Sequence, residues 1–278
     1  NSFFYRCKSA HFALQHARTR ETAVHLFDDA ESPRRCSRSP ADRRRFAPAA
    51  RPSWPPATAE RTQRHAGVAP HEDAGTGGTV WSSSHALCRW VAANLDLRGA
   101  SVLELGCGTG ACGIFAAGLG ARLALLTDGG PPGVLALARR NVDRNRGLYP
   151  SASVTTASYA FGEPLPSGDF DVVLGSDVAY HGGIEPLALT VRRLLEASSP
   201  PRVLLSAPDR SEKSGASLTQ RLIGTARELG LRTEVKEEAV RQFALHESLA
   251  AEAVRTSVLE LSLDRGVDAA AVEAACKR

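Results

Sequence analysis

The chain has 278 residues, 43% of them hydrophobic and 23% charged, a composition that supports an ordinary buried core and excludes a wholly disordered chain. The formal net charge of +4 is unevenly held: residues 1–75 carry 13 Lys+Arg against 8 Asp+Glu, so the remainder is close to neutral and shows no nucleic-acid footprint. No apolar run approaches the length of roughly 20 residues that a membrane-spanning helix needs.

Residues 1–75 have weak periodicity and are dense in Arg, Pro and Ser, as in SPRRCSRSPADRRRFAPAARPSWPP. Such a composition does not repay its ordering entropy by burial, so a mostly disordered extension is expected, with one short helix at 10–27. An organelle-targeting peptide and an acidic partner for the Arg35–Arg45 cluster are the competing readings. Glu21, Asp28, Asp29 and Glu31 count against targeting. The chain begins at Asn1 and contains no Met, which reads as a fragment or a processed amino end.

From Gly77 onward, apolar runs alternate with helical segments. Strands are expected at 100–105, 122–127, 152–157, 170–176 and 202–206. Helices are expected at 112–119, 131–144, 184–197 and 218–229. Pro131 and Pro132 suit a helix start and Gly230 a helix stop, while Trp90 falls on the core face of an earlier helix. This alternation predicts an α/β, doubly wound, mostly parallel sheet. Two further strands, 233–240 and 256–263, follow one another directly and predict an antiparallel hairpin at the sheet edge. A short tail at 265–278 closes the chain.

The six cysteines form no CxxC pair and have no His at metal-ligand spacing. A reduced, intracellular compartment and no metal site are expected, the cytoplasm if the extension does not direct the chain to an organelle.

The sharpest feature is Val102-Leu103-Glu104-Leu105-Gly106-Cys107-Gly108-Thr109-Gly110, an apolar strand running into glycines with a helix behind it. Glycines let the backbone turn tightly and approach a ligand closely. Gly108, Gly110 and Gly113 also satisfy the dinucleotide fingerprint GxGxxG, so a nicotinamide or flavin cofactor competes. Asp128, at the end of the next strand, suits a ribose diol in either case, or caps the helix that follows. Glu104 separates the two: its carboxylate would repel a pyrophosphate but suit the cationic aminoacid tail of S-adenosylmethionine.

The stretch ELGCGTGACGIFAAGLGARLALLTD resembles the first half of a class I, seven-strand methyltransferase with a Rossmann-like sheet. More narrowly, Gly78-Thr79-Val80-Trp81-Ser82, Leu174-Gly175-Ser176-Asp177-Val178-Ala179-Tyr180 and the Asn ending Arg139-Arg140-Asn141-Val142-Asp143-Arg144-Asn145 resemble motifs of the methyltransferase-like 21 group of protein-lysine methyltransferases. The likeness covers about 76–263, and the methyltransferase domain is set at 76–264. Tyr159-Ala160-Phe161-Gly162 departs from the Leu-Asp-Trp-Gly usual after the group's third strand.

The resemblance implies S-adenosylmethionine as cofactor and a lysine on a protein partner as acceptor; charge and the lack of a long apolar run set the expectation of no nucleic acid or membrane partner. Gly106, Gly108 and Gly110 would bend around the methionine moiety, with Glu104 beside its amino end and Asp128 on the ribose. Trp81 would cover the pocket or serve as a core aromatic, and Phe161 would wall the adenine or pack in the core. Ser176 completes the cofactor side. Asp177 and Tyr180 are the expected catalytic pair: Asp177 orients the lysine ammonium and Tyr180 walls its channel. His181, next to Tyr180, faces the acceptor entrance in this reading. A small-molecule N-methyltransferase, a histidine-ring acceptor and a non-catalytic binding module remain the alternatives.

Overall fold

The computed structural model describes residues 75–180, 183–209, 217–243, 252–264 and Gly266. The extension expected to be disordered, its helix at 10–27 and nearly all of the tail at 265–278 lie outside the described residues, as does His181.

Chain order is a 3-10 turn Gly75–Gly78, α1 Ser82–Asn94, β1 Ser101–Leu105, α2 Ala111–Gly118, β2 Leu123–Asp128, α3 Pro132–Asn145, β3 Ser153–Ser158, β4 Val172–Ser176, α4 Ile184–Leu195, β5 Arg202–Pro208, α5 Leu218–Glu228, β6 Leu231–Phe243 and β7 Glu252–Leu263. A further 3-10 turn, Arg146–Leu148, follows α3. The strands make one sheet in the order β3-β2-β1-β4-β5-β7-β6. Neighbours from β3 to β5 pair in parallel, and β7 is antiparallel to both β5 and β6. The expected doubly wound sheet with an antiparallel edge hairpin is therefore the observed architecture.

All five residues of β1 are buried, as a central strand covered on both faces requires. Side chains alternate across the sheet. Leu103 and Leu105 join Val173, Val203, Leu187, Val191 and Leu222 on the α4–α5 face. Val102 joins Leu87, Trp90, Val91, Val172, Leu174 and Leu204 on the α1–α2 face. Trp90 is 5% exposed, which places it on the core face as expected, and the Arg202 guanidinium stacks 5.5 Å from its ring centroid.

Helix boundaries follow capping chemistry. Pro132 sits in the first turn of α3, where a missing N–H costs nothing, with Pro131 as the cap. Ser217 and Gln220 form a reciprocal capping box on α5. Gly230 ends that connection in the left-handed region, at φ 68°. The edge hairpin is longer than the expected strands at 233–240 and 256–263. Its ladder runs on to Phe243↔Glu252, past Pro208↔Thr256 where β5 ends, with a bulge between Val235 and Glu237.

Strand order reverses between β1 and β4. The crevice outside the carboxyl ends of strands at such a switch point is the ligand site of open α/β sheets. Glu104, the glycine loop, Asp128, Phe161 and the Ser176–Tyr180 stretch lie at that edge or on the loops leaving it, and Trp81 lies at the amino end of α1.

Candidate active site

Gly106, Gly108 and Gly110 all have positive φ, at 58°, 51° and 79°. These are left-handed conformations that a side chain strains, so this turn demands glycine. The loop is also hemmed in. A Cβ on Gly106 would lie 2.6 Å from Val178 Cγ1 and 3.5 Å from Phe161 Cζ, and one on Gly108 would lie 3.0 Å from the Gly77 carbonyl oxygen. The glycine loop is thus the meeting point of the Gly75–Gly78 turn, the loop after β3 and the loop after β4.

Glu104 is 2% exposed. Its carboxylate accepts the backbone N–H groups of Cys112 at 3.2 Å and Gly113 at 2.7 Å, at the start of α2. Burial pushes its carboxyl well above the usual range, opposed by those two N–H bonds. Gly113 has no room for a side chain, since a Cβ would lie 2.6 Å from Leu126 and 2.8 Å from Glu104 Oε2.

Asp128 closes β2 with both oxygens engaged. Oδ2 accepts the N–H of Gly108 and Oδ1 that of Gly130, each at 2.8 Å. A carboxylate offers about four acceptor sites, so capacity for a diol remains. The sequence reading did not foresee this bracing. It also missed Asn141, which is fully buried on α3 and donates from Nδ2 to the Thr109 carbonyl at 2.9 Å inside the glycine loop.

Trp81 stands at the amino end of α1 as its cap residue, and its indole N–H donates to the Thr76 carbonyl at 3.1 Å. The ring belongs to the turn facing the glycine loop and lies outside the α1–α2 core cluster. Phe161 packs at the edge of the α4–α5 core and reaches Gly106. The loop departure after β3 is accommodated: the Tyr159 hydroxyl lies 3.2 Å from Thr190 Oγ1, which also accepts the Gly162 N–H at 2.9 Å.

Asp177 is the one non-glycine residue among those described with positive φ, at 55°. It is 8% exposed and follows β4 directly. Left-handed backbone costs a non-glycine residue about 1–2 kcal/mol, and such strain gathers at functional sites. Ser176, before it, places its hydroxyl 2.8 Å from that of Ser84 on α1 and faces the Cys112 thiol at 3.6 Å. Tyr180 is 45% exposed, on the solvent side of the same loop.

The crevice fits an adenosyl-sulfonium cofactor better than a dinucleotide, for a structural reason. A dinucleotide site sets its pyrophosphate on the helix amino end after the first strand. Here those N–H groups are occupied by the Glu104 carboxylate. The tight glycine turn and the carboxylate of Asp128 suit a phosphate-free ligand with a ribose.

A family description reading lysine methyltransferase matches residues 65–220. The chain is 35% identical over 150 residues to protein N-lysine methyltransferase METTL21A of Danio rerio, covering 52% of this chain and 67% of that protein. It is 32% identical over 151 residues to EEF1A lysine methyltransferase 3 of Mus musculus, covering 54% of this chain and 63% of that protein. It is 31% identical over 133 residues to protein-lysine methyltransferase METTL21E of Mus musculus, covering 44% of this chain and 53% of that protein. The chain thus spans from about half to two thirds of the length of these relatives.

Proposed function

Because the chain belongs to the lysine methyltransferase family, we propose that it transfers methyl from S-adenosylmethionine to a lysine side chain of a protein substrate. The observation that carries this reading is the strained Asp177 at the carboxyl end of β4, beside a glycine loop whose helix amino end is already filled by Glu104. Relatives named for protein lysines, one of them for EEF1A, support a protein acceptor.

The cofactor supplies, when bound, a methyl group on a sulfonium. The chain supplies the setting. Gly106, Gly108 and Gly110 bring backbone against the cofactor's aminoacid end, held there by Asp128 and Asn141. Asp128 also takes the ribose hydroxyls, and charge-assisted bonds of that kind are worth about 1.5–3 kcal/mol. Trp81 and Phe161 border the cofactor side and exclude water.

Only a neutral amine carries the lone pair that attacks. Asp177 accepts a hydrogen bond from the lysine ammonium, orients the nitrogen and holds the departing proton on its way to solvent. Tyr180, exposed at the mouth, offers its ring to the cationic nitrogen. Most of the rate comes from alignment at about 3–3.5 Å, in which orientation replaces a bimolecular encounter. An intracellular setting is part of the proposal, in keeping with the buried free thiols of Cys88, Cys107 and Cys112.

The test is calorimetric titration with S-adenosylhomocysteine, with NAD as control, followed by transfer of radiolabelled methyl to lysate proteins. Binding of the former alone and label on lysine are expected. Binding of NAD, or label confined to small molecules, would overturn the reading.

A further inference from the structure

The geometry points to Ser84 and Ser206 as positioning residues, a hydroxyl bracket that carries the placement of α1 into the backbone of Asp177. This rests on the methyl-transfer reading given above.

Asp177 must be held in a conformation that its own side chain disfavours, so neighbouring structure has to over-determine it. Two connections do so. On one side, the Asp177 N–H donates to the Ser206 carbonyl at 2.9 Å, and the Ser206 hydroxyl donates to the Ser83 carbonyl on α1 at 2.9 Å. On the other, the Ser84 and Ser176 hydroxyls meet at 2.8 Å, one residue before Asp177. Ser176 and Ser206 are themselves ladder partners across β4 and β5. The strained residue therefore sits between two polar links, and both end on the first turn of one helix.

The Ser206–Ser83 contact is buried and the Ser84–Ser176 contact part-buried. Ser83 is 0%, Ser206 1% and Ser84 7% exposed. Hydrogen bonds away from water are stronger and costlier to break than exposed ones. In a turn that otherwise packs on an aliphatic sheet, apolar side chains would fill the same space. The hydroxyls instead fix direction, tying helix to strand ends at the residue that must aim the acceptor nitrogen. Trp81 caps the same helix, so a single element sets both the cofactor side and the acceptor side of the crevice.

Ser84→Ala and Ser206→Ala test this, with Ser84→Thr as the variant that keeps the hydroxyl. Two quantities are read: kcat with KM for S-adenosylmethionine, and hydrogen exchange of the Asp177 amide with that of Leu103 as the core reference. In both alanine variants kcat should fall about tenfold or more, as small misplacements do in aligned reactions, with KM changed less than twofold. Exchange at Asp177 should accelerate by a similar factor with Leu103 unchanged, and Ser84→Thr should recover both. A merely structural role would lower the melting temperature and leave kcat and Asp177 exchange within twofold of wild type, which would overturn the inference. A wild-type protein that transfers no methyl would sink the parent reading instead, and the exchange of Asp177 would then decide the bracket alone.

Discussion

Asp128 Oδ2 accepts the backbone N–H of Gly108 at 2.8 Å, which ties the end of β2 to the middle of the glycine loop. The other oxygen holds the Gly130 N–H, so one carboxylate shapes two of the loops that border the crevice. Asp128→Ala leaves both donors without this acceptor and removes the ribose contact. Loss of a charge-assisted bond of about 1.5–3 kcal/mol corresponds to about a 10–150-fold rise in the Kd of S-adenosylhomocysteine. Calorimetric titration of the variant checks this, and an unchanged Kd would remove Asp128 from the cofactor site.

Asp177 yields a prediction in which stability and activity move in opposite directions. Glycine adopts φ 55° without strain. Asp177→Gly should therefore relieve about 1–2 kcal/mol of backbone strain, partly offset by the greater entropy of glycine in the unfolded chain. The variant should melt at or above the wild-type temperature yet transfer no methyl. Turnover close to wild type would refute the catalytic assignment.

Gly106→Ala tests why the loop is glycine. The added methyl meets Val178 Cγ1 at 2.6 Å and the backbone stands at φ 58°. Strain and overpacking together should cost about 2–4 kcal/mol of stability. Adding Val178→Ala should recover about 1 kcal/mol or more relative to the sum of the single variants, since the two residues share one contact. Additive losses in denaturant melts would show that the crowding is relieved elsewhere.

Glu104 sets the sign of a pH dependence. Burial raises its carboxyl in the folded state. A raised folded value means that the folded chain binds the proton more tightly than the unfolded one. Its contribution is fully present below the unfolded value of about 4.3 and is lost as pH rises through the folded value. Glu104→Gln has no such proton. The melting temperature of the variant minus that of the wild type should therefore increase as pH rises across this window. A difference that falls with pH would show that the two N–H bonds outweigh desolvation.

Much of the fold was legible because burial leaves a periodic trace. The mainly apolar β1, the alternation of apolar runs with helical segments and the prolines and glycine at helix ends are local signals, and the observed elements follow them closely. The hairpin was underestimated because polar residues at its far end, such as Arg241 and Gln242, pair through backbone with Val254 and Ala253 and leave no apolar pattern. The place of Glu104 was legible, a carboxylate near the end of the strand that runs into the glycines. What its carboxylate holds was not legible: the two N–H groups at the start of α2.

The sequence by itself determined the order of strands and helices, the glycine turn and the identity of the acidic residues at strand ends, since each depends on neighbours a few positions away. Only the tertiary structure decided what those residues hold. Ser206 reaches Ser83 across 123 positions, Ser84 reaches Ser176 across 92, and Asp128 reaches Gly108 across 20. Hydrogen bonds act over about 3 Å in space and take no account of chain separation, so their partners exist only once the sheet has brought the loops to one edge.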